Sequence, residues 1–574
     1  MTAQGWLQLA VFLGLIVAVT PLLGGYMARV FTGERVLLAR ALGPAERGFY
    51  RLLRVDPAHE HDWKAYARAV LAFSLVSWLG LYAILRLQGH LPFNPAGFGP
   101  APWDVTVNTT SSFVTNTNWQ YYGGETTLSN FSQMAGLAVQ NFASAAVGIA
   151  VVVAVIRGFA ARSVATLGNF WVDLTRTLLY VLLPIALVAA LVLVSQGVVQ
   201  SLAGPRAHGL GRVGIVVGPV ASQEAIKELG TNGGGFYNVN SAMPFENPTA
   251  LTNLVEMLLI VCIPAGLTAT FGRMVGSRRQ GWAVFAGMLA LFAVAVAVVF
   301  VAEGHGSPAQ HLAGVAGGNM EGKEVRFGIA DSSLFAAITT VTSCGAVNAA
   351  MQSLTGFGGA IPMASMMTGE VVFGGVGSGL ASMLLFVLLA VFLAGLMVGR
   401  TPEYLGKKIG VREVKLTMAG TLAVPLLVLA TTAGAIATRA GKASLSVHGP
   451  QGFSETLYAY TSQANNNGSA FAGYSGFVQP HPPGNAGASG IAFADLFGSG
   501  AMLAGRFLPI LAVLAVAGAL AGRRVAPAGP GTMRTDTPTF VVLLVGTILL
   551  VALLTFVPAL LLGPVVQGLA GRTF

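Results

Sequence analysis

Hydrophobic runs long enough to cross a bilayer recur ten times along this chain, near residues 6–29, 65–88, 131–156, 172–196, 250–272, 281–303, 370–399, 415–438, 493–521 and 538–563. A hydrocarbon core of ~30 Å asks for about 20 apolar residues per helix, and each run supplies them. The polar connectors are short. Even the longest, 31–62 and 439–485, leave no room for a soluble domain. The pattern predicts an all-α integral membrane protein of ten transmembrane helices. Trp6–Met27 is read as the first of these rather than as a cleaved leader, because no basic stretch precedes it.

Between the spans, four polar stretches share an unusual composition: TNTNWQ at 115–120, TNGGGF at 231–236, TSCGAVN at 342–348 and ANNNGSAF at 464–471. With Asn118, Gly233, Gly345 and Gly468 taken as equivalent, the separations are 115, 112 and 123 residues, the near-constant period of an internal repeat. Fourteen residues before each anchor stand Asp104, Pro219, Asp331 and Ser454, residue types that begin helices. Some ten helical residues cover ~15 Å, half the hydrocarbon thickness, so each stretch is predicted to follow a re-entrant half-helix. Downstream, Arg157, Arg273, Arg400 and Arg506 follow the anchors by 39, 40, 55 and 38 residues and are read as closing the next helix. The third repeat is the long one. Each repeat is then helix, half-helix, loop, helix, and four of them surround an axis normal to the membrane as a pseudo-four-fold pore. The expected boundaries are an added first helix at 1–30, repeats at 31–160, 161–280, 281–412 and 413–524, and an added last helix at 525–574.

Composition agrees with burial in lipid: 54% of residues are hydrophobic and 9% charged, against about 25% charged in soluble domains. The 74 glycines suit close helix packing and irregular backbone at membrane depth. Cys262 and Cys344 lie far apart and make neither a disulfide framework nor a zinc motif. A net charge of +10 would suit nucleic acid if the basic residues were clustered, but they lie between spans. Roughly 22 of the 32 Lys and Arg fall on one side, at Arg29 to Arg68, Arg157 to Arg176, Arg273 to Arg279, Arg400 to Lys415 and Arg523 to Arg534. The positive-inside rule makes those loops cytoplasmic, with both termini and the four polar loops outside. Membrane lipid, not nucleic acid, is the expected surrounding.

The four loops have the chemistry of a cation site. Non-helical backbone at membrane depth survives only where protein buries it or a polar cavity meets it. Glycine reaches conformations that aim successive carbonyls at one point, and rings of carbonyls replace the hydration shell of potassium. Thr117, Thr231, Asn116, Asn232, Asn466 and Asn467 offer further neutral oxygens. Half-helices ending at the loops direct their partly negative C-termini inward. No carboxylate sits in any of the four loops, so a monovalent ion fits better than a divalent one. The alternative, in which Gly and Asn only make outer turns, has to explain four loops in one register.

The runs SFVTNTNWQ, TNGGGFYN, SAMPFENPTALTN, TSCGAVNA, GRTPEYLGKKI and ANNNGSAF resemble the potassium-binding A subunit of the bacterial Kdp potassium pump, over nearly the whole chain. The resemblance implies a fold of the potassium-channel-like superfamily. It implies a subunit of the bacterial inner membrane that binds potassium from outside, while a partner P-type ATPase B subunit hydrolyses ATP with Mg. A C subunit and a small single-span subunit would complete the complex, and no organic cofactor is implied. Carried over by position, the potassium filter comprises Asn116, Thr117 and Asn118; Thr231, Asn232 and Gly233; Ser343, Cys344 and Gly345; and Asn466, Asn467 and Gly468. The resemblance also marks Gln120 as shaping ion access. Asn118 stands where the other three loops have Gly, which puts strict four-fold coordination in question.

The extra length of the third repeat falls around MMTGEVVFGGVGSGL. Gly374, Gly375, Gly377 and Gly379 each cost ~1 kcal/mol in a helix relative to Ala, so the segment predicts a helix broken beneath the filter. Members of the resembling family place a gating segment there. Glu370 and Arg400 flank this helix. Arg400 opens the basic loop GRTPEYLGKKIGVR, so gating and interfacial anchoring are both open for it. Arg506 lies well inside an apolar run and needs a partner or water. It is a counter-charge below the filter or one half of a salt bridge, for which Asp495, eleven residues away, is poorly spaced. Cys344 is read as a filter carbonyl with an incidental sulfur. The chain has no G-x-x-x-x-G-K-[ST] phosphate loop and no D-K-T-G motif, so ATP hydrolysis is not expected of it. A membrane redox enzyme fails for want of ligands, since none of the eight histidines falls in a predicted span. Two transport readings stay open: the ion-binding subunit of an ATP-driven pump, and a stand-alone potassium channel or symporter.

Overall fold

A computed structural model describes residues 2–204, 206–208, 213–399, 401–474, 493–527, 529 and 532–570. Chain order runs α1 (Ala3–Thr32), α2 (Ala39–Leu52), α3 (Trp63–Leu87), α4 (Trp103–Val114), α5 (Ser132–Ala160), α6 (Phe170–Ser195), α7 (Val220–Leu229), α8 (Ala250–Met274), α9 (Arg278–His305), α10 (Gly328–Val341), α11 (Gly356–Met367), α12 (Ser378–Val398), α13 (Val411–Ala437), α14 (Gly449–Ala464), α15 (Phe493–Ala521) and α16 (Pro538–Leu569). Ten of these, α1, α3, α5, α6, α8, α9, α12, α13, α15 and α16, are long and apolar enough to cross a membrane. They coincide with the ten predicted runs, except that the run at 370–399 becomes helical only at Ser378. Side-chain caps fix several starts: Asp62 accepts from Ala65 N at 2.7 Å ahead of α3, and Thr249 from Thr252 N at 3.2 Å ahead of α8.

Helix, half-helix, loop, helix recurs four times: α3–α4–α5, α6–α7–α8, α9–α10–α11/α12 and α13–α14–α15. The half-helices α4 and α7 begin beside Asp104 and after Pro219, as expected. The other two start earlier than expected. α10 begins at Gly328, which leaves Asp331 in its first turn, and α14 begins at Gly449, which leaves Ser454 in its second. In α14 the starting signal is Pro450, whose fixed φ suits a first turn.

Arg157 and Arg273 do close α5 and α8, while Arg400 lies outside the described residues. Arg506 does not close its helix. α15 continues to Ala521, and the basic residue beyond it is Arg523, 55 residues after Gly468, the same offset that separates Arg400 from Gly345. Arg506 therefore stands at membrane depth, within a helix of 29 residues.

α5 runs through the centre, with every residue from Ala143 to Ile156 buried. α1 lies along α8 so closely that a Cβ on Gly24 would strike the Gly266 carbonyl, and Thr270 Oγ1 donates to Gly24 O at 3.0 Å. Small residues allow this approach, as expected where lipid supplies no hydrophobic drive. Arg157 joins repeats one and two through paired bonds to Asp173, at 2.6 and 2.8 Å. Two short antiparallel pairs lie in connectors: β1 (Arg206–His208) with β2 (Val213–Ile215), and β3 (Glu403–Tyr404) with β4 (Lys407–Lys408). From β4, the buried Lys407 Nζ donates to Gly158 O at 2.8 Å and Leu520 O at 3.0 Å, tying together the ends of α5 and α15.

Candidate functional site

Each half-helix ends in the same cap. Asn116 (φ 67°), Thr231 (49°), Ser343 (50°) and Asn466 (53°) take the left-handed conformation just past the helix. The next N–H then bonds the carbonyl five residues back: Thr117 to Ser112 at 2.9 Å, Asn232 to Lys227 at 2.8 Å, Cys344 to Thr339 at 3.0 Å and Asn467 to Ser462 at 2.8 Å. With the shorter bonds from Asn116 N to Phe113 O, Thr231 N to Glu228 O and Asn466 N to Gln463 O, this is a Schellman motif in the first, second and fourth repeats, and the third keeps its long bond. Two residues further on comes a second left-handed position, at Asn118 (58°), Gly233 (85°), Gly345 (96°) and Gly468 (101°). Alternation of left- and right-handed residues turns successive carbonyls toward one side. Gly adopts it without penalty, and Asn is among the few side chains that visit it routinely, which explains Asn118 among three glycines. Thr231 and Ser343 are worse suited, and such positions cost of order 1–3 kcal/mol each, so their surroundings must hold them.

The loops close into a ring. A Cβ on Gly233 would strike the Cys344 carbonyl, one on Gly345 the Asn467 carbonyl, one on Gly468 the Thr117 carbonyl, and one on Gly234 the side chain of Asn118. Contact thus passes from loop to loop and back to the first. Side-chain amides lock the neighbours. Asn116 Nδ2 donates to Thr231 O at 2.9 Å, and Asn232 Nδ2 to Asn116 Oδ1 at 2.7 Å. Asn466 Nδ2 donates to Thr117 Oγ1 at 2.9 Å, and Asn467 Nδ2 to Thr339 O at 2.7 Å.

The side-chain oxygens named in the sequence as further ligands already have partners in several cases. Asn116 Oδ1, Thr117 Oγ1 and Thr231 Oγ1 are engaged inside the protein, and Asn467 Oδ1 turns to Ser469 N at 3.0 Å. Backbone carbonyls of the ring are partly engaged as well: Thr231 O accepts from Asn116 Nδ2 and Gly233 O from Asn240 Nδ2. Among the oxygens anticipated as ligands, Asn232 Oδ1 is buried with no partner.

Above the ring lies a cavity of ≈1410 Å³, lined by all four anchors, Asn118, Gly233, Gly345 and Gly468. Gln120 stands on its wall and accepts from Gly235 N at 3.1 Å. Below the ring lies a much smaller space of ≈50 Å³, bounded by Gly148, Glu370, Ser378, Asn466 and Arg506. Arg506 donates to Ser144 O at 3.3 Å and makes no ion pair among the described residues. It faces a cavity shared with Glu370 rather than Asp495.

The floor of that cavity belongs to the broken helix. Residues 368–377 separate α11 from α12, and within them Gly369, Glu370, Phe373, Gly374 and Gly377 all have positive φ. The break is tied to the ring: Val376 N donates to Thr231 Oγ1 at 3.0 Å, and Gly374 N to Val341 O at 3.0 Å. Gly377 is pressed against Gly148 of α5, where a Cβ would strike the Gly148 carbonyl. Gly375 lies between these contacts, whereas Gly379 is already inside α12, packed on the Phe373 carbonyl.

Sequence reasoning missed a second polar group, behind loops two and three. Six residues before the anchors stand Ser112, Lys227, Thr339 and Ser462. The hydroxyls of Thr339 and Ser462 accept from Gly345 N and Gly468 N, each at 2.9 Å. Lys227 instead reaches Glu224 at 2.7 Å, Glu246 at 3.0 Å, Glu228 at 3.6 Å and Asn240 Oδ1 at 3.1 Å. Asn240 Nδ2 in turn donates to the Gly233 carbonyl. Cys344 Sγ donates to Glu228 Oε2 at 3.5 Å, so the sulfur is directed and not incidental. Glu256 from α8 completes the group. Carboxylate oxygens of Glu224, Glu228 and Glu256 lie within 4.8 Å of one another, and both Glu256 oxygens lack a partner. The legible signal was a lysine in a register column otherwise held by Ser and Thr.

Four half-helices meeting at a ring of capped loops, inside ten helices long and apolar enough to cross a membrane, define a multi-pass membrane protein built of four like repeats. The potassium transporter TrkH from Vibrio parahaemolyticus shares the fold, with a TM-score of 0.53 over 88% of this chain and 95% of that one at 15% identity. The family model described as Potassium-transporting ATPase A subunit matches residues 10–569, and the chain belongs to that family. It is 55% identical over 581 residues to a protein of Methylobacterium nodulans, covering 100% of this chain and 99% of the relative. It is 54% identical over 581 residues to one of Mesorhizobium japonicum, covering 100% of each. Both relatives are named Potassium-transporting ATPase potassium-binding subunit.

Proposed function

We infer that the chain is the potassium-binding and translocating subunit of an ATP-driven potassium uptake complex. The observation that carries the reading is the doubled left-handed cap in all four loops, which presents backbone carbonyls and no carboxylate around one axis. Such a ring suits a monovalent cation stripped of water. The filter is formed by Asn116 to Asn118, Thr231 to Gly233, Ser343 to Gly345 and Asn466 to Gly468. Potassium enters through the wide cavity past Gln120, from outside the bacterial inner membrane, since the arginine-rich loops belong on the cytoplasmic side. Release is governed below, by Glu370, Arg506 and the glycines of the break, and Arg400, which follows α12 in the sequence, is assigned to the same step. The partners are a P-type ATPase B subunit that uses ATP and Mg, a C subunit and a small single-span subunit. The names of the family and its relatives favour this reading over a stand-alone channel or symporter.

Gly345→Asp tests the filter. Its φ of 96° and the neighbouring Asn467 carbonyl leave no place for a side chain. Potassium uptake by the complex is expected to lose affinity by a thousandfold, which corresponds to about 4 kcal/mol, or to lose its preference over sodium. Unchanged uptake kinetics together with an unchanged potassium-to-sodium ratio would sink the assignment.

A further inference from the structure

α2 crosses no membrane, yet it carries a sharply divided surface. At 100° per residue its side chains fall in three rows. Ala39, Leu42, Gly43, Glu46 and Tyr50 are buried or half-buried against the protein. There Glu46 accepts from Arg176 Nε at 3.1 Å and from the hydroxyls of Tyr50 and Tyr180, each at 2.7 Å. A second row, Arg40, Arg47 and Arg51, is exposed and makes no ion pair among the described residues. A third row, Ala41, Ala45, Phe49 and Leu52, is exposed as well and lies roughly 140° from the arginines. Phe49 is 46% exposed, Leu52 77%, and Leu37 just before the helix 94%.

A helix surrounded by water has no reason to hold out Phe and Leu along one row and bare arginines along another. A helix lying flat at a bilayer surface has both reasons, one row for acyl chains and one for phosphates. The placement fits: α2 follows the end of α1 directly and packs on the start of α6, so it sits level with helix ends on the arginine-rich side. Charge selects the lipid. Arg35, Arg40, Arg47, Arg51 and Arg54 face one acid in that stretch, Glu46, which is already paired inward. Guanidinium groups bind phosphate in two-pronged fashion, and a basic row beside an apolar one favours anionic over zwitterionic headgroups.

We propose that α2 is a binding surface for anionic phospholipid of the leaflet on the arginine-rich side, with Arg40, Arg47 and Arg51 on the phosphates and Phe49 and Leu52 among the acyl chains. Through Glu46 and Arg176 the bound lipid steadies the first helix of the second repeat.

The whole complex containing this chain is placed in phosphatidylcholine nanodiscs, with a bimane label on Leu52→Cys and the unsubstituted complex as background. Bimane quenching is compared between discs doped with brominated phosphatidylglycerol and discs doped with brominated phosphatidylcholine at equal mole fraction. Quenching by the anionic lipid is expected to be stronger, roughly twofold or more, and the difference is expected to vanish in R40Q/R47Q/R51Q. Equal quenching by both lipids in the parent means contact without headgroup selection and overturns the proposal. No quenching by either means a protein subunit covers the face, which also overturns it. If the triple variant does not assemble, Arg47→Gln alone is used, and an undiminished preference counts against the assignment.

Discussion

Lys227 is one ammonium among four carboxyls, Glu224, Glu228, Glu246 and Glu256, and none of the five is more than 1% exposed. Removing one partner of a buried pair leaves charge uncompensated and typically costs ~3–5 kcal/mol. Lys227→Met is therefore expected to lower the thermal midpoint of the detergent-solubilised protein sharply or to prevent its folding. Glu256→Gln removes a carboxyl without a partner and is expected to leave that midpoint unchanged or raise it. Equal losses in both variants would show that the ammonium does not hold the cluster. Because Lys227 orients Asn240, and Asn240 bonds the Gly233 carbonyl, the cluster bears directly on the ring. Gly233, Gly345 and Gly468 were legible in the sequence, because a left-handed backbone demands Gly or Asn and the period repeats the demand. Lys227 was not, since a lysine beside glutamates reads as surface charge until burial is known. The engagement of the loop amides was hidden too, because a sequence shows which oxygens exist but not which are already taken.

Spans and half-helices were readable because length and apolarity are one-dimensional properties, and the break was readable because four glycines lie within six residues. Arg506 was readable as lying inside an apolar run, as it does in α15, but its offset from the anchor misled as a mark of the helix end, since a distance along the chain does not say where a helix stops. The break is the element that links ring and lower cavity. Gly377→Ala adds a side chain where φ is 96° and the Gly148 carbonyl is in contact. It is expected to displace the break and slow potassium uptake at least tenfold, which is about 1.4 kcal/mol, while potassium binding by calorimetry changes little. Equal losses in binding and uptake would make the break part of the filter's support rather than of release. A second tie lies outside the spans, at Lys407. Burial pushes its ammonium down to about 8 from an ordinary 10.5. Below pH 8 both folded and unfolded chains carry the proton, and the desolvation cost is fully present. Between pH 8 and 10.5 the unfolded chain binds more protons, so this group's contribution to stability rises with pH. The thermal midpoint of the parent relative to Lys407→Met is expected to climb across that window, and a flat difference would rule out a depressed lysine.

The molecule is asymmetric along its axis. A cavity of ≈1410 Å³ meets the ring on one side and a space of ≈50 Å³ on the other. The lower space is far smaller than the upper cavity, so the ring opens widely on one side only. Arg506 stands in its wall, and a fixed cation there opposes the passage of another. Such an asymmetry fits the proposed reading, in which an ion enters from the wide side and is retained until the break, Glu370 or Arg506 moves. A conducting pore would need the opposite, binding weak enough on both sides for rapid escape. The two transport readings therefore part at the level of the whole assembly. The chain alone in liposomes is expected to bind potassium yet show ion flux at the background of empty vesicles. The purified complex is expected to hydrolyse ATP faster when potassium is added, and Gly345→Asp is expected to shift that stimulation to higher potassium. Potassium flux through the isolated chain would establish the channel reading instead, and would place the closure seen below the ring among states that open without a partner.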